Sequence, residues 1–201
     1  MNRVRRFSLC FCSLLILSCV TVPPETPQPR VTISPLFNPT LHNRLAVFVN
    51  DQTRGLGGSG AIREVEDEFM RAVISKGYTL AARSDIEQIA KELRFQQSDL
   101  TEKQVAKIGQ VLNVPAVMIV SINSMSTEPY NPIIRVQGQE YYRTNASISA
   151  RILSVQGAEV MWISSYSGGM NIGRRDSHNE KTVLSSVASI VASGLPPRTR
   201  R

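Results

Sequence analysis

Five apolar residues in a row, Leu45-Ala46-Val47-Phe48-Val49, stand between polar flanks and predict a strand buried on both faces. A glycine-rich loop from Gly55 to Gly60 follows. Ile62, Val65, Phe69 and Val73 then recur at helical spacing, and Gly77 stands where a glycine closes a helix. Tyr78 to Ala82 predict a second, short strand. Ser84 with Glu87 predicts a capping box opening a helix whose Ile86, Ile89, Ala90 and Leu93 share a face. Thr101 with Gln104 predicts another, with Val105, Ile108 and Leu112 inward. Pro115 to Ile122 read as a further central strand. From Asn145 the chain alternates, with Ala146, Ile148, Ala150 and Ile152 set against Asn145, Ser147, Ser149 and Arg151, the period of a strand covered on one face. Gln156-Gly157 supplies a turn, and Glu159 to Tyr166 return as the partner strand. Thr182 to Ser193 predict a last helix, stopped by Gly194 and Pro196. The order β-α-β-α-α-β-β-β-α predicts a single α+β (mixed α/β) domain over residues 44–196, with helices packed on a central sheet of about five strands.

The first residues follow a different pattern. Arg3, Arg5 and Arg6 precede an apolar run of 11 residues, Phe7 to Leu17, the layout of an export signal over residues 1–18. At about 1.5 Å per residue that run spans roughly 17 Å, short of the ~30 Å hydrocarbon core. It ends in Ile16-Leu17-Ser18-Cys19, which looks like a bacterial lipobox, with Cys19 as the lipid attachment point. Cys10 and Cys12 follow the bulky Leu9 and Phe11 and do not fit such a processing site. The competing reading makes Cys19 the last apolar residue of an ordinary signal peptide cut later, but no small-x-small cleavage site follows and Pro23 and Pro24 come next. Several acyl chains, at about 0.8 kcal/mol per buried methylene, would hold the chain persistently on a membrane surface. Residues 19–43 then carry Pro23, Pro24, Pro27, Pro29, Pro35 and Pro39 and read as an extended tether reaching on the order of 70 Å.

Composition sharpens this picture. The 201 residues carry 23 Lys and Arg against 16 Asp and Glu, a formal charge of +7. Without residues 1–18 the balance is 20 to 16, and between Arg44 and Pro197 it is 16 to 15. A nearly neutral domain followed by a basic tail at 197–201 gives no phosphate-neutralising surface, so no nucleic acid partner is expected. Because no cysteine follows Cys19, a disulfide framework, a cysteine zinc site and a cysteine nucleophile are excluded from the domain.

Candidate chemistry is sparse. Gly55, Gly57 and Gly60 match the dinucleotide spacing G-x-G-x-x-G, but Asn50 to Arg54 separate them from the strand, and no P-loop Lys-Ser/Thr pair follows. A loop that is mobile or contacts a partner is the expectation there. His42 lies in the tether, leaving His178 as the one histidine base a hydrolase triad within the domain could use, with Ser164, Ser165, Ser167 and Asp176 near it in sequence. Glu64, Glu66, Asp67 and Glu68 cluster with Arg63 and Arg71, a pattern of helix-dipole complement and solvated face. No catalytic residue, cofactor or metal ligand is assigned.

Several segments resemble the curli-secretion lipoprotein (CsgG) family and its relatives, the TolB N-terminal-like domains and the penicillin-binding-protein activator lipoproteins. They are Leu45 to Phe48 with the glycine loop, Gly77 to Ile89, Val105 to Ile119, and the hairpin Ile152 to Trp162. The resemblance implies a non-enzymatic periplasmic lipoprotein, anchored in the outer membrane and acting in secretion or envelope assembly through protein partners, with homo-oligomers among them. Val20-Thr21 after the lipid site, with no Asp, favours the outer membrane in enteric-type sorting; the cytoplasmic membrane stays open as an address. Curli-type members donate membrane hairpins to a pore, whereas Ser124 to Arg143 hold Glu128, Pro129, Pro132, Arg135 and Glu140, unlike a lipid-facing hairpin. The same fold also suits a monomeric adaptor of a peptidoglycan synthase, and a periplasmic hydrolase using His178 is the remaining alternative.

Overall fold

A computed structural model describes residues 26–53, 55–56, 60–92, 101–132, 140–172 and 177–198. Along the chain they form β1 (Arg30–Ile33), β2 (Arg44–Asp51), α1 (Ala61–Ser75), β3 (Thr79–Leu80), α2 (Arg83–Glu92), α3 (Glu102–Val111), β4 (Ala116–Pro129), β5 (Tyr142–Ser154), β6 (Val160–Ile172) and α4 (Ser177–Ser193). The strands make one mixed sheet in the order β1-β6-β5-β4-β2-β3. β2 runs parallel to β3 and β4, and the remaining pairs are antiparallel.

Apolar runs on β2 and β4 require cover on both faces. On one face Leu45, Val47, Met118, Val120, Ile148, Ile152 and Trp162 pack under Val65, Phe69 and Val73 of α1 and Leu184, Val187 and Val191 of α4. On the other face a smaller cluster joins Ala46, Phe48, Val117, Ile119 and Leu153 to Ile86 of α2, to Val105 and Ile108 of α3 and to Leu112 just past it. The α+β class is as the sequence predicts, with six strands rather than about five.

The added strand is β1, inside the segment expected to be tether. Its register, Arg30 opposite Ser165 through Ile33 opposite Trp162, adds it to the edge of β6. Gly194, just past α4, makes room for it: a Cβ there would press on the Val31 and Pro29 side chains and on Ser164 Oγ. The Gly194 carbonyl accepts a hydrogen bond from the buried Trp162 indole (3.1 Å), and Ser164 Oγ donates to Val191 O (2.8 Å), so α4, β6 and β1 meet at one seam. Backbone pairing and this seam, neither visible as periodicity, turn Pro-rich sequence into sheet edge.

Other boundaries move for local reasons. The box at Thr101 forms as expected, Gln104 N donating to Thr101 Oγ1 (3.4 Å) and Thr101 N to Gln104 Oε1 (2.8 Å). Ser84 does not cap α2, because the N–H groups of Asp85 and Ile86 both donate to Ala82 O (3.2 Å each), which places Ser84 inside the first turn. Leu93 lies outside the described residues, as do the side chains of Ile89 and Ala90. Gly77 closes the turn after α1 with φ of 88°, as its position predicts, whereas in the β5–β6 turn the left-handed residue is Ala158 (φ 53°) rather than Gly157. β4, β5 and β6 run well past their apolar segments, out to Pro129, Tyr142 and Ile172.

The expected basic tail is tied down at its start. Arg198 N donates to Lys76 O (2.8 Å) and its guanidinium to Gly77 O, while Tyr78 OH donates to Pro196 O (2.9 Å); residues 199–201 lie outside the described residues. Burial pushes the Tyr78 phenol up to about 12, with the Arg198 charge pulling the other way. The unfolded chain releases this proton near pH 10 and the fold holds it to about 12, so stability present below pH 10 is lost as pH rises through that window. A pH series of urea melts should show a fall of roughly 2 kcal/mol or less from this group, absent in Tyr78→Phe.

Gly109 of α3 offers a second test. A Cβ there would run into the Val155 side chain and reach Val117, so the helix sits against the β5–β6 turn only because the residue is glycine. Gly109→Ala should therefore destabilise by about 1–3 kcal/mol in chemical denaturation, despite the ~1 kcal/mol helix-propensity gain of alanine.

Candidate functional site

Most sequence candidates turn out to be structural. In the glycine loop, Asp51 takes the loop's donors: Oδ1 accepts from Thr53 N (2.8 Å) and Thr53 Oγ1 (2.6 Å), and Oδ2 from Leu56 N (3.1 Å). A carboxylate at the base of the loop repels the phosphate that a dinucleotide motif would need there. Gly60 precedes α1 with φ of 69°, the left-handed conformation that glycine adopts without strain, and Gly57 lies outside the described residues. His42 stacks on Phe37 at 6.0 Å with Nδ1 3.0 Å from Asn38 O. Ser164 spends its hydroxyl on α4, as described, and Ser165 and Ser167 point to the opposite sheet face. Asp176 and the His178 side chain lie outside the described residues, as does Cys19.

Three of the four acids of α1, Glu66, Asp67 and Glu68, make ion pairs. Arg83 at the start of α2 bonds Glu66 (3.0 Å) and Asp67 through separate guanidinium nitrogens, and Glu68 accepts from Arg71 (2.8 Å) and Ser185 Oγ (2.9 Å). Arg83 thereby clamps α2 to α1. Because the guanidinium is partly exposed, the clamp is a positioning device more than a source of stability. Arg83→Ala should cost under about 1 kcal/mol globally yet speed amide hydrogen exchange over α2, read residue by residue against unchanged β4. Among the described residues no group of three His, Cys, Asp or Glu is placed to hold a metal ion, and no helix is long and apolar enough to cross a membrane.

What the sequence did not single out is the far end of the sheet. Strand directions bring together there the end of β2, the ends of β4 and β6, the start of β5 and the segment entering β1. Pro129, Tyr130, Pro132, Glu140, Tyr141 and Tyr142 line a cleft of about 310 Å³ at the β4–β5 tip. Tyr130 N donates to Tyr141 O (2.8 Å), Tyr142 OH to Glu140 Oε2 (2.8 Å), and the Arg143 guanidinium lies 4.6 Å from the Tyr130 ring centre. Three of the chain's five tyrosines gather here, a concentration visible in the sequence between residues 130 and 142. On the sheet face that α2 and α3 leave open, Ser147, Ser149, Arg151 and Ser165 are half-buried.

No protein-family model matches the chain, and no curated protein matches it. Solved structures do. The lipoprotein GNA1162 from Neisseria meningitidis is 15% identical, with a TM-score of 0.50 over 75% of this chain and 97% of that one. The PelC dodecamer from Paraburkholderia phytofirmans (14% identical, TM-score 0.46, 85% and 99% covered) and LpoB from Escherichia coli (13%, 0.41, 87% and 82%) are more distant in shape. The GNA1162 likeness shows a shared fold.

Proposed function

We propose that this chain is a non-enzymatic lipoprotein of the bacterial envelope, held by lipid on Cys19 and acting through protein contacts in secretion or envelope assembly. The observation that carries this reading is the Ile16-Leu17-Ser18-Cys19 sequence ahead of a domain with the fold of a lipoprotein, GNA1162. The motif resemblance to the CsgG family points the same way and favours the outer membrane, facing the periplasm. Glu66, Asp67, Glu68 and Ser164, among the groups that catalysis could have used, are engaged in holding α1, α2 and α4 in place, which supports a binding role over a hydrolytic one.

Wild-type chain expressed in a Gram-negative host should fractionate with the outer membrane and incorporate labelled palmitate. Cys19→Ala should lose the label and leave the membrane fraction. A wild type that is soluble and unlabelled, with a mature N-terminus beyond residue 19, would replace this reading by that of an ordinary exported protein.

A further inference from the structure

The chain before β1 has both a direction and a limit. Gln28 and Arg30 lie beside Ser165, Tyr166 and Ser167, and Thr26 and Pro27 beside Tyr166, so residues 26–29 run back along β6 toward the end occupied by the β4–β5 tip. Arg30 is level with Ser165 and Tyr142 with Ile172. That separation of seven residues on β6 is about 23 Å at ~3.3 Å per residue. From Arg30 back to Cys19 are 11 residues, at most about 38 Å when fully extended. A lipid anchor at Cys19 therefore extends no more than roughly 15 Å beyond Tyr142 along the strand direction.

We propose that the β4–β5 tip rests on the headgroup layer of the anchoring bilayer, with Tyr130, Tyr141 and Tyr142 as its interfacial contacts and Arg143 beside anionic headgroups; the inference rests on lipidation of Cys19. Tyrosine suits that layer because its ring takes apolar surroundings while its hydroxyl stays hydrated. All three tyrosines are half-buried and reachable from outside. Arg143, exposed and held by Asn171 Oδ1 (3.0 Å), keeps its charge at the same level. The contact is peripheral. Glu128, Glu140, Pro129 and Pro132 at the tip would keep it from crossing the hydrocarbon.

Lipidated full chain in vesicles of phosphatidylethanolamine and phosphatidylglycerol tests this, with acyl chains brominated near the glycerol as the quencher. Trp162, ten residues along β6 from Ile172 and so about 33 Å away, is buried and serves as the unquenched reference. Tyr141→Trp adds a reporter at the tip, Tyr142→Trp a second should the first misfold, and Gln156→Trp one on the exposed β5–β6 turn at the opposite end. The tip reporters should be blue-shifted and lose about half their added emission to bromine, while Gln156→Trp and Trp162 stay unquenched. Tip emission quenched by aqueous iodide and not by bromine would overturn the proposal, placing the tip in water. Protection from both would overturn it in favour of a protein occupant, a second copy included. Wild type that fails to float with vesicles would remove the lipid anchor itself, whereas flotation with an unquenched tip removes only the tip contact.

Discussion

Apolar side chains on both faces of β2 and β4 set the terms for the rest of the molecule. A strand pair of that kind is stable only as the inside of a sandwich, so the chain must supply helices on both sides. It does so unequally. α1 and α4 cover one face across to β6, while on the other α2 and α3 cover β2, β4 and the end of β5, with Val160 at the start of β6 on the margin. β5 and β6 accordingly need apolar residues mainly on one face, and their open face is mostly serine and asparagine with arginine on β5, Ile163 of β6 being the exposed apolar exception. Trp162 closes the fully covered side by placing the largest buried side chain under α4 with its one donor satisfied.

Elements whose reasons are local were legible in the sequence. The strand at Leu45, the α1 stripe with its closing Gly77, the capping box at Thr101 and the alternation of β5 each follow from contacts within a few residues. β1 was not legible, because a four-residue segment between prolines becomes a strand only through β6 and Gly194, far along the chain from it. The outer half of β4 was missed for a related reason: its polar, mostly exposed residues are held by ladder hydrogen bonds with β5, which leave no hydrophobic period. Ser84 misled because α2 starts earlier than the capping pattern implies, at Arg83, with Ala82 O accepting from the N–H groups of Asp85 and Ile86.

The candidate site was legible in part. Asn50 to Arg54 already separated the glycines from their strand, and Asp51 within that insertion turns out to be what organises the loop. The tyrosine tip depends on register, which brings Pro129 opposite Tyr142 and so gathers residues from two strands into one cleft. Once β1 joins the sheet, the part of the expected tether outside the described residues also shrinks from residues 19–43 to residues 19–25. With lipid on Cys19, as proposed, so short a leash would keep the domain close to the surface that holds it.

The two sheet edges carry a further consequence. One edge is β3, only two residues long, and the other is β1, four residues bounded by Pro29 and Pro35. Beyond them both edges stay open: β1 pairs β6 only from Trp162 to Ser165 and β3 pairs β2 only at Arg44 and Leu45, so residues 166–172 and 46–51 have no strand beside them on that side among the described residues. Strand addition is thereby confined to the end of the sheet where the β4–β5 tip lies, β1 and β3 closing the other end. Contacts at the closed end have to be written in side chains, where single substitutions can tune them, whereas the open end also offers backbone, which they cannot change.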